Sequence, residues 1–437
     1  MQLNLRKYFL YRLKKLLFRL GKITYRKKWY STSADLFSFY ARTIDMNILL
    51  EEDERFVLDE QIRRHIDKCF DDFHTKGQGI PPFCEQYSYK HNPSVDSYRD
   101  IKLCFLAPQF INNNELYIEN EYEDYFIKTA LKVGIQAEMF YTDLISYPNL
   151  PQNTGAAQKR LQELRKYIAK TRPNVILFDA NYIGNENTVN PYLLNELRQI
   201  TGAKIVGFIG DAYGNLGRKM ANYWAEQCDL LLHSAPGDPS ALCDPFVEKM
   251  VLIPIPLNRL RFYREKDQRF DISFMGTYES ALRPFWLSHV MKIASQQRMT
   301  TCVIPHARIA DECPDMYEYA RILRNSRIVL NFSSRTPTDK DPSQRVLTGR
   351  AWQTIASGCL LFEEENEPIK TFFAPFVHYI PFANVSQLQA FLLFLHTHED
   401  YRKRIADAGA DWCNTWYSIE NIWSYIIARL GFPKTGP

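Results

Sequence analysis

The feature that most constrains the fold of this 437-residue chain is a repeated alternation of short apolar runs with longer amphipathic stretches. Apolar runs without period-2 alternation are typical of strands that are buried on both faces, and the stretches between them have the 3.6-residue period of helices. Strands that alternate with helices of ten to sixteen residues, roughly, form βαβ units around a parallel sheet. The sequence therefore predicts an α/β protein.

The alternation occurs twice along the chain. The predicted strands are 101–107, 136–141, 174–178, 204–209, 230–233 and 247–255 in the first series, and 270–275, 301–304, 327–332, 359–362 and 378–380 in the second. A chain of this length also exceeds what one hydrophobic core usually supports. We therefore predict two doubly wound, Rossmann-like domains over 99–256 and 257–437, the second ending in a terminal helix, after a helical extension over 1–98.

The amino-terminal segment is strongly basic. Residues 1–28 hold ten Lys and Arg and no Asp or Glu, which leaves 44 basic and 50 acidic residues elsewhere. On a helix, its leucines share one face with Phe9, which is typical of a helix lying on an anionic membrane surface. The alternative is a helix docked on the protein itself with its basic face in solvent. Charges interrupt every apolar run, so a signal peptide or transmembrane span is excluded, and an apolar face is not expected of a nucleic-acid tail.

Several common chemistries are excluded by the absence of their motifs. The nine cysteines show no CxxC pairing, which indicates reduced thiols in a cytoplasmic protein and no structural metal site. The chain has no GxGxxG, no Walker lysine loop, no HExxH and no GxSxG. Candidate residues are therefore the polar groups that follow predicted strands, where doubly wound folds bind their ligands.

Asp211 follows the predicted strand 204–209 and is flanked by Gly210 and Gly214. A carboxylate at the end of a strand can serve as a general base or as a hydrogen-bond acceptor. The alternative is a turn aspartate that caps the next helix. Asp179 is a weaker analogue at the neighbouring strand end.

Gly276 and Thr277 follow the predicted strand 270–275 and precede a helix that contains Arg283. Glycine allows close approach of the backbone, and the amino end of a helix favours an anion such as diphosphate. Arg283 could add a bidentate contact. The alternative is that Ser280 simply caps the helix.

The segment 350–365 reads RAWQTIASGCLLFEEE, which is a helix, a glycine stop, a buried strand and three acidic residues. Arg350 suits phosphate oxygens, and Glu363 or Glu364 suits the vicinal hydroxyls of a ribose. The alternative is that the acidic run is a solvated loop.

This segment, together with SRIVLNFS at 326–333, NEPIKTFF at 366–373 and FDISFMGTYESALR at 270–283, resembles the carboxyl-terminal domain of the CgeB-type (spore maturation protein-like) glycosyltransferases. These are similar to glycosyltransferase families 1 and 4, and the resemblance covers about 271–412. It implies a GT-B fold, in which two Rossmann-like domains face a cleft. The second domain of such proteins binds a nucleotide-diphosphate sugar, and the first lies on the acceptor side.

The resemblance also implies roles for individual residues. Arg350 would contact the diphosphate and Glu363 or Glu364 the nucleoside, while the helix of the family carries a Glu where this chain has Gln353. The implied activity is a metal-independent, hexosyltransferase-like enzyme that needs no cofactor beyond its nucleotide-sugar co-substrate. Because the basic helix would hold the cleft near a bilayer, we expect a glycan or lipid-linked acceptor. Residues 1–28 would hold the enzyme against the inner face of the plasma membrane. The alternatives are a catalytically inactive GT-B-like protein that binds nucleotide or glycan, and a two-domain small-ligand binding protein.

Overall fold

The computed structural model describes residues 52–77, 81, 83, 98–110, 119–146, 154–210, 214–234, 248–276, 282–305, 314–333 and 347–432. The predicted basic helix over 1–28, most of residues 78–97, and the candidate residues Asp211 and Thr277 lie outside these ranges. No helix in the described part combines the length and apolar character needed to cross a membrane.

The first sheet has six parallel strands. They are β1 (Lys102–Ala107), β2 (Gln136–Tyr141), β3 (Val175–Asp179), β4 (Lys204–Ile209), β5 (Leu230–His233) and β6 (Met250–Leu252), in the order β2-β1-β3-β4-β5-β6. The inner strands β3 and β4 are buried along nearly their whole length, because helices cover both faces of a parallel sheet.

The second sheet has five parallel strands. They are β7 (Phe270–Gly276), β8 (Thr301–Pro305), β9 (Ser326–Asn331), β10 (Leu360–Glu364) and β11 (Ile380–Phe382), in the order β11-β10-β9-β7-β8. The prediction of two doubly wound α/β units is confirmed.

Helices connect the strands and cover the sheets. Their bounds are Glu52–Lys76, Lys128–Lys132, Thr154–Thr171, Pro191–Thr201, Gly214–Ala225, Leu282–Gln296, Met316–Arg324, Gly349–Ala356, Val385–Thr397, Glu399–Trp416 and Ile419–Arg429, with a π-helical turn at Glu123–Ile127 and a 3₁₀ turn at Pro368–Thr371. Local sequence sets several boundaries: Asn190 and Asp315 cap helices through their side chains, and Gly202 ends one with a φ of 73°.

The two ends of the chain pack on the sheet that lies farther away in sequence. The helix Glu52–Lys76 buries Ile66 and Phe70 in the core of the second sheet, and its Asp67 binds Arg404. The last helix, Ile419–Arg429, packs on the first domain, where Trp423 donates a hydrogen bond to Thr129 at 3.0 Å. The units are therefore joined by these helices as well as by the connection after β6.

Three predicted elements differ from the observed ones. The strand expected over 247–255 is only Met250–Leu252, and the strand expected over 378–380 is Ile380–Phe382. The third difference concerns the site, because β10 continues to Glu364 and not only to residue 362. Glu363 and Glu364 are thus buried strand residues, and the solvated-loop alternative is wrong for them.

Candidate functional site

Each sheet has one place where neighbouring strands lead to helices on opposite faces. In a sheet of this order that switch point lies between the first and third strands, and ligands bind outside the carboxyl ends there. The switch point of the second sheet is between β7 and β9, which end at Gly276 and Asn331. That of the first sheet is between β1 and β3, which end at Ala107 and Asp179.

At the second switch point the guanidinium of Arg350 lies directly on Gly276. A Cβ added to Gly276 would stand 2.4 Å from Nη2 of Arg350, so a side chain at position 276 would displace the guanidinium. Arg350 also lies over the ring of Phe274, with its Cζ 5.1 Å from the ring centroid. Two candidates 74 positions apart in sequence thus meet at the predicted crevice.

The N–H groups of Arg350 are only partly satisfied by the described residues. Its Nη1 donates to Oδ1 of Asn331 at 2.9 Å, while its buried Nε has no hydrogen-bond partner among the described residues. A buried guanidinium N–H without a partner costs free energy that an anionic ligand could recover. The side chain is therefore positioned to bind an anion.

Asn331 ties Arg350 to the acidic end of β10. Its Nδ2 donates to Oε2 of Glu363 at 2.7 Å and to the hydroxyl of Thr348 at 2.9 Å. Asn366 donates to the other oxygen of Glu363 at 3.1 Å. Burial raises the pKa of Glu363 to about 8, against the opposing effects of these two amides and of Arg350. Glu363 can therefore exchange a proton near neutral pH.

Arg283 and Glu364 lie at the same edge. Nη2 of Arg283 donates to the carbonyl oxygen of Phe332 at 3.3 Å, directly after β9. Glu364 is 3% exposed, and its carbonyl oxygen accepts from the hydroxyl of Ser333 at 3.2 Å. Two arginines, Arg283 and Arg350, therefore flank one crevice.

The helix Gly349–Ala356 begins at this crevice. Its N-cap residue, Thr348, makes no side-chain capping bond, because its hydroxyl accepts from Asn331 instead. The N–H of Ala351 donates to the carbonyl oxygen of Thr348 at 3.1 Å, which leaves those of Gly349 and Arg350 without a partner among the described residues. The helix dipole favours negative charge there. The edge combines a helix amino end with a guanidinium, and we call this combination the anion site, as a candidate for binding a negatively charged ligand.

Gln353, one turn after Arg350, makes its hydrogen bonds with other partners. Its Nε2 donates to Oε2 of Glu121 at 2.9 Å and to the hydroxyl of Tyr125 at 2.6 Å, both in the first domain. Its Oε1 accepts from the hydroxyl of Tyr319 at 2.9 Å. The carboxyl edges of the two sheets, which are the edges where their parallel strands end, therefore face each other across this contact. A direct role of Gln353 in donor binding stays a prediction.

The first switch point carries a buried acid of its own. Asp179 is 1% exposed and accepts from the backbone N–H of Asn181 at 3.1 Å and from its Nδ2 at 2.6 Å. Nδ2 of Asn181 also reaches the hydroxyl of Tyr122 at 3.2 Å. Gly210 directly follows the neighbouring strand β4. Asp211 comes next, outside the described ranges, and its catalytic role stays a prediction.

Sequence reasoning missed the residues that connect the site. Asn331, Thr348 and Asn366 hold Arg350 and Glu363, yet each is a single small polar residue in an otherwise ordinary stretch. The available signal was a polar residue ending an apolar strand, which applies to Asn331. No local signal marks Glu121 or Tyr125.

A small cavity of about 40 Å³ lies at the opposite edge of the second sheet. Asp271, Arg327 and Arg402 are among its lining residues, near the amino ends of β7 and β9. A cavity of this size holds a water molecule or two but no nucleotide. The candidate site is therefore the carboxyl edge.

Comparison with known families gives one match. Residues 290–428 match the model of a family described as glycosyl transferase-like. The matched range contains Arg350, Gln353, Glu363 and Glu364. The search of curated proteins found no match.

Solved structures of similar fold cover most of the chain. Sucrose-phosphate synthase from Thermosynechococcus elongatus aligns with a TM-score of 0.52 and 10% identity, over 76% of this chain and 99% of that one. An α-glucosyltransferase in complex with UDP-glucose and DNA containing an abasic site aligns with a TM-score of 0.52 and 10% identity, over 76% and 100%. The predicted GT-B fold is confirmed.

Proposed function

We propose that this protein is a glycosyltransferase that transfers a sugar from a nucleotide-diphosphate donor to an acceptor bound against the first domain. The observation that carries the proposal is the guanidinium of Arg350, laid on Gly276 at the switch point of the second sheet with its Nε unpartnered in the described part of the chain. The match of 290–428 to a glycosyl transferase-like family supports the same assignment. The catalytically inactive alternative gains no support from the comparisons.

The chemistry of transfer fits the charges at the two edges. Negative charge develops on the diphosphate as the sugar leaves, and preorganised N–H groups and guanidinium groups stabilise it. Arg350, Arg283 and the amino end of Gly349–Ala356 would supply these contacts. No step requires a metal, and the proposal is a metal-independent transfer, with Asp211 as the candidate base for the acceptor hydroxyl.

The donor is a nucleoside diphosphate sugar, and uridine is the first base to test. One solved structure of similar fold holds UDP-glucose. Glu363 stands at the end of β10 with a pKa of about 8, within the same network as Arg350. Either the acid or the carboxylate can bond to ribose hydroxyls, so the site can bind a nucleoside at neutral pH.

The finer proposals concern location and acceptor. We propose a CgeB-type enzyme of the cytoplasm that binds the inner face of the plasma membrane through residues 1–28, with a glycan or lipid-linked acceptor. The ten cations of that segment support this. Deletion of residues 1–28 should abolish co-sedimentation with vesicles containing anionic lipid, and unchanged co-sedimentation would contradict the membrane proposal.

The function is tested by titrating the protein with UDP, GDP, ADP, CMP and dTDP, and with their sugar conjugates, by calorimetry. We expect one base to bind selectively and Arg350→Ala to weaken it about ten- to hundredfold, because a charge-assisted contact contributes about 1.5–3 kcal/mol. Arg321→Ala is the matched control, since Arg321 is exposed and pairs only locally with Glu318. Equal weakening in both variants, or no binding by any nucleotide, would refute the proposal.

A further inference from the structure

Gln353 joins the two domains at the side of the cleft where their carboxyl edges meet. It is 1% exposed, in the middle of the helix that begins at the anion site. Its partners Glu121 and Tyr125 lie more than two hundred positions earlier, at the start of the helical segment that follows β1. The contact therefore links the two domains inside a hydrophobic cluster that they share, which contains Tyr125 together with Ala351 and Trp352 from the helix of Gln353.

The direction of the hydrogen bonds requires an amide at position 353. Nε2 supplies two N–H donors, one to the carboxylate of Glu121 and one to the hydroxyl of Tyr125. Oε1 accepts from Tyr319. A carboxylate at 353 could still accept from the two tyrosines, but it would face Glu121 with a like charge and no proton to donate. Gln353 and Glu121 are thus chemically matched.

The link reaches the anion site by two routes. Arg350 precedes Gln353 by one helical turn, so a shift of the helix moves both side chains together. Tyr319, which donates to Gln353, also lies close to Arg350: burial raises its pKa to about 12, while the positive charge of Arg350 opposes that rise. Gly349 adds contact with the first domain, because a Cβ there would stand 3.5 Å from the hydroxyl of Tyr125.

We propose that Gln353 is a positioning residue that latches the first domain, through Glu121 and Tyr125, to the helix that carries Arg350. Closure of the cleft and positioning of the Arg350 guanidinium then occur together. The closed state is allowed because the side chain of Gln353 is uncharged and does not repel Glu121. The catalytic meaning of the latch rests on the proposed function, whereas its existence does not.

The test is a charge-swap cycle of Gln353→Glu, Glu121→Gln and the double variant, measured at pH 8. Hydrogen exchange of segments 119–132 and 349–356 reports closure without any ligand, and calorimetric titration with UDP and UDP-glucose reports the anion site. We expect Gln353→Glu to speed exchange in both segments and to weaken nucleotide binding about tenfold or more, because like charges in contact are costly. The double variant should recover both, since an amide at position 121 can donate to a carboxylate at position 353.

The matched control combines Gln353→Glu with Glu123→Gln. Glu123 belongs to the same helical segment but accepts from Tyr141, so its neutralisation should rescue nothing. Compared with the wild type at the same pH, Gln353→Glu should be partly restored at pH 6 and the double variant should not change, because one proton shared by two carboxylates removes the repulsion. Should Gln353→Glu fold poorly, Glu121→Ala tests the same link from a half-buried position and should speed exchange in 349–356.

The outcomes separate the latch from the function. Faster exchange in Gln353→Glu with recovery in the double variant supports the latch even where no nucleotide binds to the wild type, which would refute only the proposed function. Unchanged exchange and binding in Gln353→Glu would overturn the latch. A double variant as impaired as the single one would also overturn it, since Glu121 would then not be the matched partner.

Discussion

The carboxyl edges of the two sheets differ in charge although the sheets share a strand order. Both carry an Asn that donates to a buried acid: Asn181 to Asp179 at 2.6 Å in the first, and Asn331 to Glu363 at 2.7 Å in the second. At the second edge Arg350 then donates to Asn331. At the first edge Asn181 bonds instead to the neutral hydroxyl of Tyr122.

Arginines at the two edges are also used differently. Arg160 at the first edge donates through Nε and Nη2 to the carbonyl oxygen of Tyr141 and pairs with Glu163, so its charge is neutralised locally. Arg350 has no carboxylate within ion-pair distance among the described residues. The shared fold supplies a crevice at each edge, and at the second edge a guanidinium without a carboxylate partner among the described residues favours an anionic ligand.

The largest expected effect comes from replacing the two Asn residues with an apolar side chain of similar size. Asn331→Leu should lower the thermal midpoint by about 6–12 °C, because the buried Glu363 and the half-buried Thr348 and Arg350 each lose a partner at a total cost of about 3 kcal/mol. Asn181→Leu should lower it by only about 2–4 °C, because the backbone N–H of residue 181 still donates to Asp179.

Differential scanning calorimetry measures both variants under one buffer condition. Equal shifts would show that the hydrogen bonds of Asn331 around Arg350 contribute no more to stability than the bond between Asn181 and Asp179 on the first edge. A larger shift for Asn181→Leu would reverse the comparison.

The second prediction uses the two glycines at strand ends. Gly276→Ala should weaken nucleotide binding about tenfold with little loss of stability, because the new Cβ displaces the guanidinium of Arg350, which is the movable end of a side chain. Gly210→Ala should leave binding unchanged, since the nearest atom to its new Cβ, in Phe208, is at an ordinary 3.5 Å. Calorimetric titration with UDP measures the affinity of both variants. Equal affinities would show that Gly276 is not part of the anion site.

The sequence predicts the sheets well because their strands are buried on both faces, which leaves near-continuous apolar runs in β3, β4 and β9. It also selects Gly276 and Arg350, each from its position after or near a strand. Gly276 and Arg350 come into contact because of the strand order. Strands β7 and β9 are neighbours at the switch point, so the loops that follow these two strands meet there.

The sequence fails where distant partners decide the outcome. Two acidic residues in succession indicate the end of a buried strand, yet β10 continues through them because Asn331 and Asn366 satisfy Glu363. Likewise, the sequence alone indicates that Gln353 replaces a donor-binding Glu, whereas in the structure Gln353 donates a hydrogen bond to Glu121. Neither Asn331 nor Glu121 is adjacent in sequence to its partner, so no local pattern could identify it.

The third prediction concerns the acid of the second edge. Since the pKa of Glu363 is raised from 4.5 to about 8, the folded protein binds this proton more tightly than the unfolded chain. Its contribution to the free energy of unfolding is complete below pH 4.5 and is lost as the pH rises through 8. The thermal midpoint should therefore fall between about pH 5 and pH 8.5, and Glu363→Gln, which resembles the protonated acid, should reduce that fall.

The matched control is Glu367→Gln, because Glu367 is half exposed and pairs with Lys370 on the surface. It should keep the pH dependence of the wild type. If Glu363→Gln also keeps the pH dependence of the wild type, ionisation of Glu363 costs the folded protein no stability. Water would then reach the second edge more readily than the burial of Glu363 indicates.

The smallest expected effect compares the two arginines that donate to carbonyl oxygens at the strand ends. Arg283→Ala should weaken nucleotide binding about two- to tenfold, because Arg283 reaches the end of β9 and contributes a second, more distant cation to the crevice. Arg160→Ala should not change it, since Arg160 is bound to Tyr141 and Glu163 on the first edge. Titration with UDP at low and moderate salt measures both. A loss in Arg160→Ala would mean that the nucleotide spans the cleft and that the first edge shares the anion, whereas no loss in Arg283→Ala would leave Arg350 and the helix amino end as the anion contacts of the described chain.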